Sequence, residues 1–225
     1  MGRFPQKPGQ KGSQKWIQRL VNECPDLLND KIIRKTGLPR RTTIEWRSPL
    51  LDDDYAEYRD QAFLELVEIS LPKHPLEDFW PKRGPQWDAV GKSEDSTVFL
   101  AEAKSHISEL VSHLGTKSPK SREQILASLQ EAKQYLNPKS ETDWSSPFYQ
   151  YTNRIAHLYL FRVLNEVPAY LIFVYFLNDE EMKGPRTADE WKGALKLLHG
   201  YLGIGRNRLS KFVVDVYVDI NDLQK

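Results

Sequence analysis

A chain of 225 residues that is 40% apolar and 28% charged can bury a sizeable core, which excludes a globally disordered protein. A single cysteine, Cys24, excludes a disulfide framework or a multi-cysteine zinc site and suits a reducing compartment. The longest apolar run, Ala169 to Leu177, falls far short of the roughly 20 residues of a spanning helix, and the first residues form no apolar signal region, so a soluble, cytoplasmic protein is expected.

The net charge of +1 hides an asymmetry. Residues 1–50 carry 11 Lys and Arg against 4 Asp and Glu, a net of +7, and the remainder carries 21 against 27, a net of −6. A basic arm on an acidic body is a pattern that meets nucleic acid, although a solvated charged surface gives the same count. The split suggests a basic N-terminal region, 1–50, followed by an α/β domain, 51–225.

In chain order, Gly2, Gly9, Gly12, Pro5 and Pro8 make 1–13 read as a flexible tail. Trp16, Ile17, Leu20 and Val21 give 14–23 a short amphipathic helix. Ile32 to Pro39, with Gly37, looks faintly like the first half of a helix-turn-helix, whose second helix would start at Arg40. Asp52, Asp53 and Asp54 can cap a helix over 55–69, with Tyr58, Ala62, Phe63, Leu66 and Ile69 on its apolar face. Beyond the loop at Pro81, Gly84 and Pro85, two short strands over 86–90 and 97–104 form a hairpin. Helices follow over 121–136 and 147–165, then a buried strand over 169–177, a helix opened by Thr187, and a last alternating strand over 212–220. This order predicts an α/β fold with a mixed central sheet of about four strands flanked by helices.

The hairpin carries the chemistry. Strand residues two apart share a face, so Glu102 and Lys104 project together while Ala103 projects the other way. Charges on apolar strands are costly unless paired, exposed at a cleft or bound to metal. A hairpin centred on Asp95 sets Asp88 opposite Glu102, although the polar run 91–96 is centred slightly earlier and so calls for a bulge or an offset. Two converging carboxylates make an oxygen-rich site that suits Mg²⁺ or Mn²⁺, and a lysine beside them can orient water and offset phosphate charge.

Asp88 followed by Glu102-Ala103-Lys104 at the end of the apolar strand Val98–Ala101 resembles the signature of the PD-(D/E)xK nuclease superfamily, the restriction-endonuclease-like fold. The likeness covers roughly residues 52–178, and Asp88 follows Pro85-Gln86-Trp87 instead of sitting directly after proline. The resemblance implies a metal-dependent nuclease, acting on DNA more readily than RNA. Asp88, Glu102 and the Ala103 carbonyl would hold Mg²⁺ or Mn²⁺, with Lys104 at the attacking water. It also implies an additional acid from the preceding helix, for which Glu65 is favoured over Glu68.

On helix 147–165, Gln150, Asn153, Arg154 and His157 form one polar stripe. By the same resemblance Gln150 supports the site and Arg154 contacts phosphate. Arg34, Lys35, Arg40 and Arg41 of the basic region are expected on phosphates too, with steep salt dependence. Cutting both strands of a duplex would favour a homodimer. The alternative is a catalytically silent module of the same fold that binds nucleic acid or a protein. No complete phosphate-binding loop, G-x-S-x-G elbow or H-E-x-x-H motif is found.

Overall fold

The computed structural model describes residues 2–223. In chain order it contains β1 (Arg3–Phe4), α1 (Gly12–Glu23), α2 (Pro25–Thr36), β2 (Ile44–Ser48), β3 (Glu57–Tyr58), α3 (Asp60–Leu66), α4 (Leu76–Phe79), β4 (Ala89–Ser93), β5 (Val98–Lys104), α5 (Pro119–Leu136), α6 (Tyr149–Tyr159), β6 (Ala169–Leu177), α7 (Ala188–Leu202) and β7 (Val213–Asp219). The sheet order is β2-β4-β5-β6-β7. β4 runs antiparallel to both of its neighbours, β2 and β5, and β6 and β7 continue parallel to β5. β1 and β3 form a separate antiparallel pair. Among the described residues no helix is long and apolar enough to cross a membrane.

Local chemistry accounts for the element ends. α2 opens on Pro25 and closes on Gly37, whose φ of 69° is a left-handed conformation that suits glycine. Thr187 caps α7 by accepting from the Glu190 amide at 3.3 Å. β6 is apolar along nearly its whole length because both of its faces are covered. β7 alternates between buried and half-buried residues because it is an edge strand.

The sheet separates two cores. On one face Val98, Leu100, Leu171 and Phe173 pack against α3 to α7. On the other, Phe99, Ala101, Ala103, Ile172 and Val174 pack against Trp16, Ile17, Leu20, Leu28 and Ile32 of α1 and α2. The β4–β5 register keeps Asp95 at its centre throughout, from Ala89 opposite Ala101 to Lys92 opposite Val98. No bulge interrupts it, because Gly91 to Ser93 belong to β4 and not to the turn. One more step of that register sets Asp88 opposite Glu102 on the same sheet face.

Four expectations are corrected. The expected mixed sheet flanked by helices is present with five strands, and one of them, β2, lies before residue 50. A boundary at 50 therefore cuts through the sheet and its second core. The tail expected over 1–13 is tied down in its described part. Arg3 pairs with Asp53 at 2.7 Å and Asp54 at 3.1 Å, and the Gln6 amide donates to the Asp54 carbonyl at 2.9 Å. The second helix-turn-helix helix is absent, since the chain goes from Gly37 into β2. The helix over 55–69 is shortened to α3, because Asp54, Tyr55 and Asp60 all take positive φ and 57–58 pairs with β1. The Asp60 carboxylate instead accepts from the Arg83 and Gly84 amides at 3.0 and 2.8 Å, pinning the loop before β4.

Candidate active site

Glu102 and Lys104 stand on the β5 face that looks toward α6, and both are buried, at 1% and 7% exposure. The Lys104 ammonium donates to Glu102 Oε1. Arg154 of α6 meets the other oxygen, with Nε 2.7 Å and Nη2 2.5 Å from Oε2. The same guanidinium donates to the Gln86 carbonyl at 2.7 Å and to Asn153 Oδ1 at 3.2 Å, and lies 4.6 Å from the centre of the Trp87 ring. Burial opposes ionisation of Glu102, but the charges of Arg154 and Lys104 outweigh it and hold this carboxyl below its ordinary range.

Asp88 immediately precedes β4. Its Oδ2 accepts from the Ala103 amide at 2.8 Å, bridging the two strands where their ladder ends. Burial first, then the Glu102 charge, push its pKa up to about 8, against the pull of Lys104. The N–H and C=O of one strand residue leave the strand on the same side, so the Ala103 carbonyl shares Asp88's side of β5.

A further group belongs here that the sequence did not single out. Glu57 of β3 is buried, and its Oε2 accepts from Gln86 Nε2 and, at 3.4 Å, from Gln6 Nε2. Burial raises its pKa, and the nearby Glu102 charge adds to the rise. Reading 55–69 as one helix left Glu57 off the apolar stripe; the only local hint was a carboxylate between Ala56 and Tyr58.

Glu65 takes a different place. It is exposed on α3, whose buried side is Phe63 and Leu64, and no hydrogen bond or ion pair joins it to Asp88 or Glu102. Gln150 does come to the site, lining a small cavity with Glu102, Lys104 and Tyr151. Arg154 is 3% exposed, so its role is to hold Glu102 and not to meet solvent-side phosphate directly. Arg34, Lys35, Arg40 and Arg41 are exposed, but α2 packs on the opposite sheet face, and Lys35 reaches the Asp215 carbonyl on the far edge strand. Arg40 and Arg41 lie in the loop before Ile44, which pairs with Ser93 at the end of β4 away from Asp88, so none of the four joins Asp88 and Glu102.

His157 of the same stripe is buried among Phe79, Trp80 and Trp87, with Nδ1 2.8 Å from the Asn153 carbonyl. Burial drives its pKa down to about 3, so it stays neutral near pH 7 and serves the packing of α6.

The donor set is Asp88, Glu102 and the Ala103 carbonyl, all oxygen, which suits a hard divalent ion. Asp88, pushed toward neutrality beside another carboxylate, is a group whose ionised form a divalent cation would restore. Among the described residues no three His, Cys, Asp or Glu side chains are set to hold a metal by themselves. Glu102 would also have to share its oxygens with Lys104 and Arg154.

No family model, curated protein or solved structure matches the chain.

Proposed function

We propose that the protein is a metal-dependent nuclease of the PD-(D/E)xK type that hydrolyses phosphodiester bonds, in DNA more readily than in RNA. The observation that carries this reading is the buried Glu102–Lys104 pair on β5, with Asp88 opposite it across a hairpin in unbroken register. The mixed sheet is in keeping with such a core. Asp88, Glu102 and the Ala103 carbonyl would hold Mg²⁺ or Mn²⁺, which when bound supplies Lewis-acid stabilisation of charge on the phosphate. Lys104, oriented by Glu102, presents its ammonium to the attacking water and to the developing negative charge. Arg154 keeps the Glu102 carboxylate ionised and in place. Gln150, beside Lys104, adds an amide to the same polar corner.

The full engagement of Glu102 by two cations favours a second reading, a catalytically silent module of the same architecture. Cleavage of plasmid and oligonucleotide substrates with Mg²⁺ or Mn²⁺ separates the two. Wild type should cut, and Lys104→Ala and Asp88→Ala should each lose at least about a hundredfold, the scale of removing a transition-state charge stabiliser. Inert wild type across DNA and RNA, with both metals, leaves only the silent module.

A further inference from the structure

A groove runs beside the candidate active site. One wall is the loop Trp80–Pro85, and the other is the segment 114–118 that leads into α5. Its floor includes Tyr149 and Asn153 of α6. Lys82, Arg83 and Lys117 line it, and no Asp or Glu does. All three cations are exposed and, among the described residues, form no ion pair.

The groove connects to the catalytic corner by direct contacts. Asn153 lines the groove floor beside Tyr149. Its Oδ1 accepts from Arg154, which holds Glu102. Pro85 of the wall precedes Gln86, whose carbonyl accepts from the same arginine. Asp60 fixes the Arg83 end of the wall through two main-chain amides, so the cations stand on an anchored loop.

The entrance of α5 adds to the positive field. Ser118 and Ser121 line the groove, and the first turn of α5 contains Lys120 and Arg122 with no acid, whereas α7 opens on Asp189 and Glu190. Cations at a helix N-terminus are repelled by the positive end of its dipole, a repulsion that a bound polyanion offsets.

We infer that this groove is the nucleic-acid track: Lys82, Arg83 and Lys117 hold consecutive phosphates of the strand, and Tyr149 offers its ring beside it. The inference rests on the nuclease reading for its choice of ligand, and it transfers phosphate binding from the α2 face to the α5–α6 face of the molecule. Cation spacing along a track combined with an aromatic floor is how sequence-independent strand binding is built.

The test measures binding without chemistry. Anisotropy of a fluorescein-labelled single-stranded oligonucleotide, and of its duplex, is followed in EDTA with the full chain. The triple variant Lys82→Glu/Arg83→Glu/Lys117→Glu should raise Kd at least about tenfold. It should also flatten the plot of log affinity against log salt by two to three units, at about 0.7–0.9 per phosphate contact. Arg34→Glu/Arg40→Glu/Arg41→Glu, on the other face, should leave both quantities near wild type. Circular dichroism confirms that these exposed changes leave the fold intact. The inference is overturned if wild type binds neither oligonucleotide, if the groove variant binds like wild type, or if the α2-face variant loses as much. Failure of the nuclease reading shows separately, as absent cleavage with groove-dependent binding retained.

Discussion

Glu102 is held by two cations of different kind. Lys104 comes from its own strand and is a compact charge on a flexible stem, whereas Arg154 comes across from α6 and is locked by three further contacts, to Gln86, Asn153 and the Trp87 ring. Losing the first should affect chemistry; losing the second should affect stability. Arg154→Met, which keeps the apolar stem, leaves Glu102 buried beside Lys104 alone. The expected cost is about 3–5 kcal/mol in urea unfolding, the scale for breaking a buried pair by removing one partner. Adding Glu102→Gln should recover part of it, since the uncompensated charge is then gone. A cost below about 1 kcal/mol for the single change would mean that the pair behaves like a solvated one. The partners of Glu102 also show what the sequence could and could not reveal. Strand periodicity set Glu102 beside Lys104, and the hairpin centre set Asp88 opposite them. Glu57 was hidden because its position depends on departures from helix on either side of it, at Asp54, Tyr55 and Asp60, which propensity does not announce.

At the scale of the element, the long periodic segments were legible. The stretch 169–177 is β6, α5 and α6 appear where their apolar stripes lie, and Thr187 caps α7 as its position suggests. Elements whose existence depends on distant pairing were not. β2 has only five residues and gains its place from β4, where a Cβ on Gly91 would lie 3.1 Å from Glu45 and Trp46 atoms of β2. Within α6 one stripe divides into two tasks. Gln150, Asn153 and Arg154 serve the site, and His157, one turn on, serves the core. That division predicts a pH response. His157 titrates near 6.5 when unfolded and about 3 when folded, so the folded state binds fewer protons between those values. Its contribution is complete above pH 6.5 and is lost as pH falls toward 3. Between pH 7 and pH 5 the loss should be about 2 kcal/mol. His157→Phe fills the same aromatic surroundings, and its unfolding free energy should be lower at pH 7 but decline less steeply toward pH 5. Parallel wild-type and variant slopes in urea titrations at both pH values would show that His157 is not the group responsible.

Asp215 contributes the opposite slope. It lies on β7, where burial raises its pKa to about 6, against the weaker pull of Lys35, compared with 3.8 in the unfolded chain. A carboxyl raised in this way stabilises most below pH 3.8, and its contribution is lost as pH climbs through 6. Asp215→Asn should therefore be more stable than wild type at pH 7 and lose that advantage by pH 4, measured by urea unfolding at the two pH values. An advantage that grows on acidification would reverse the assignment.

At the scale of the whole molecule, charge and packing divide the chain differently. By charge it divides at residue 50; by packing it does not divide at all. Trp16, Ile17, Leu20, Val21, Leu28 and Ile32 are each at most 4% exposed and form the helical half of the second core. At about 1.5–3 kcal/mol for each large buried side chain, these six match or exceed the 5–15 kcal/mol of net stability that a domain has. Removing residues 1–50 also strips β2 from the sheet and turns β4 into an unpaired edge, which invites association. The segment 51–225 expressed alone should therefore be unfolded or aggregated, without the cooperative urea transition of the full chain, and Ile32→Ala within the full chain should cost about 2–5 kcal/mol. A soluble 51–225 fragment with the wild-type midpoint would show that the basic segment is an appendage after all. The energetics argue against that outcome: the strand that bears Glu102 has one face against α6 and the other against α1 and α2, and the position of its carboxylate depends on both.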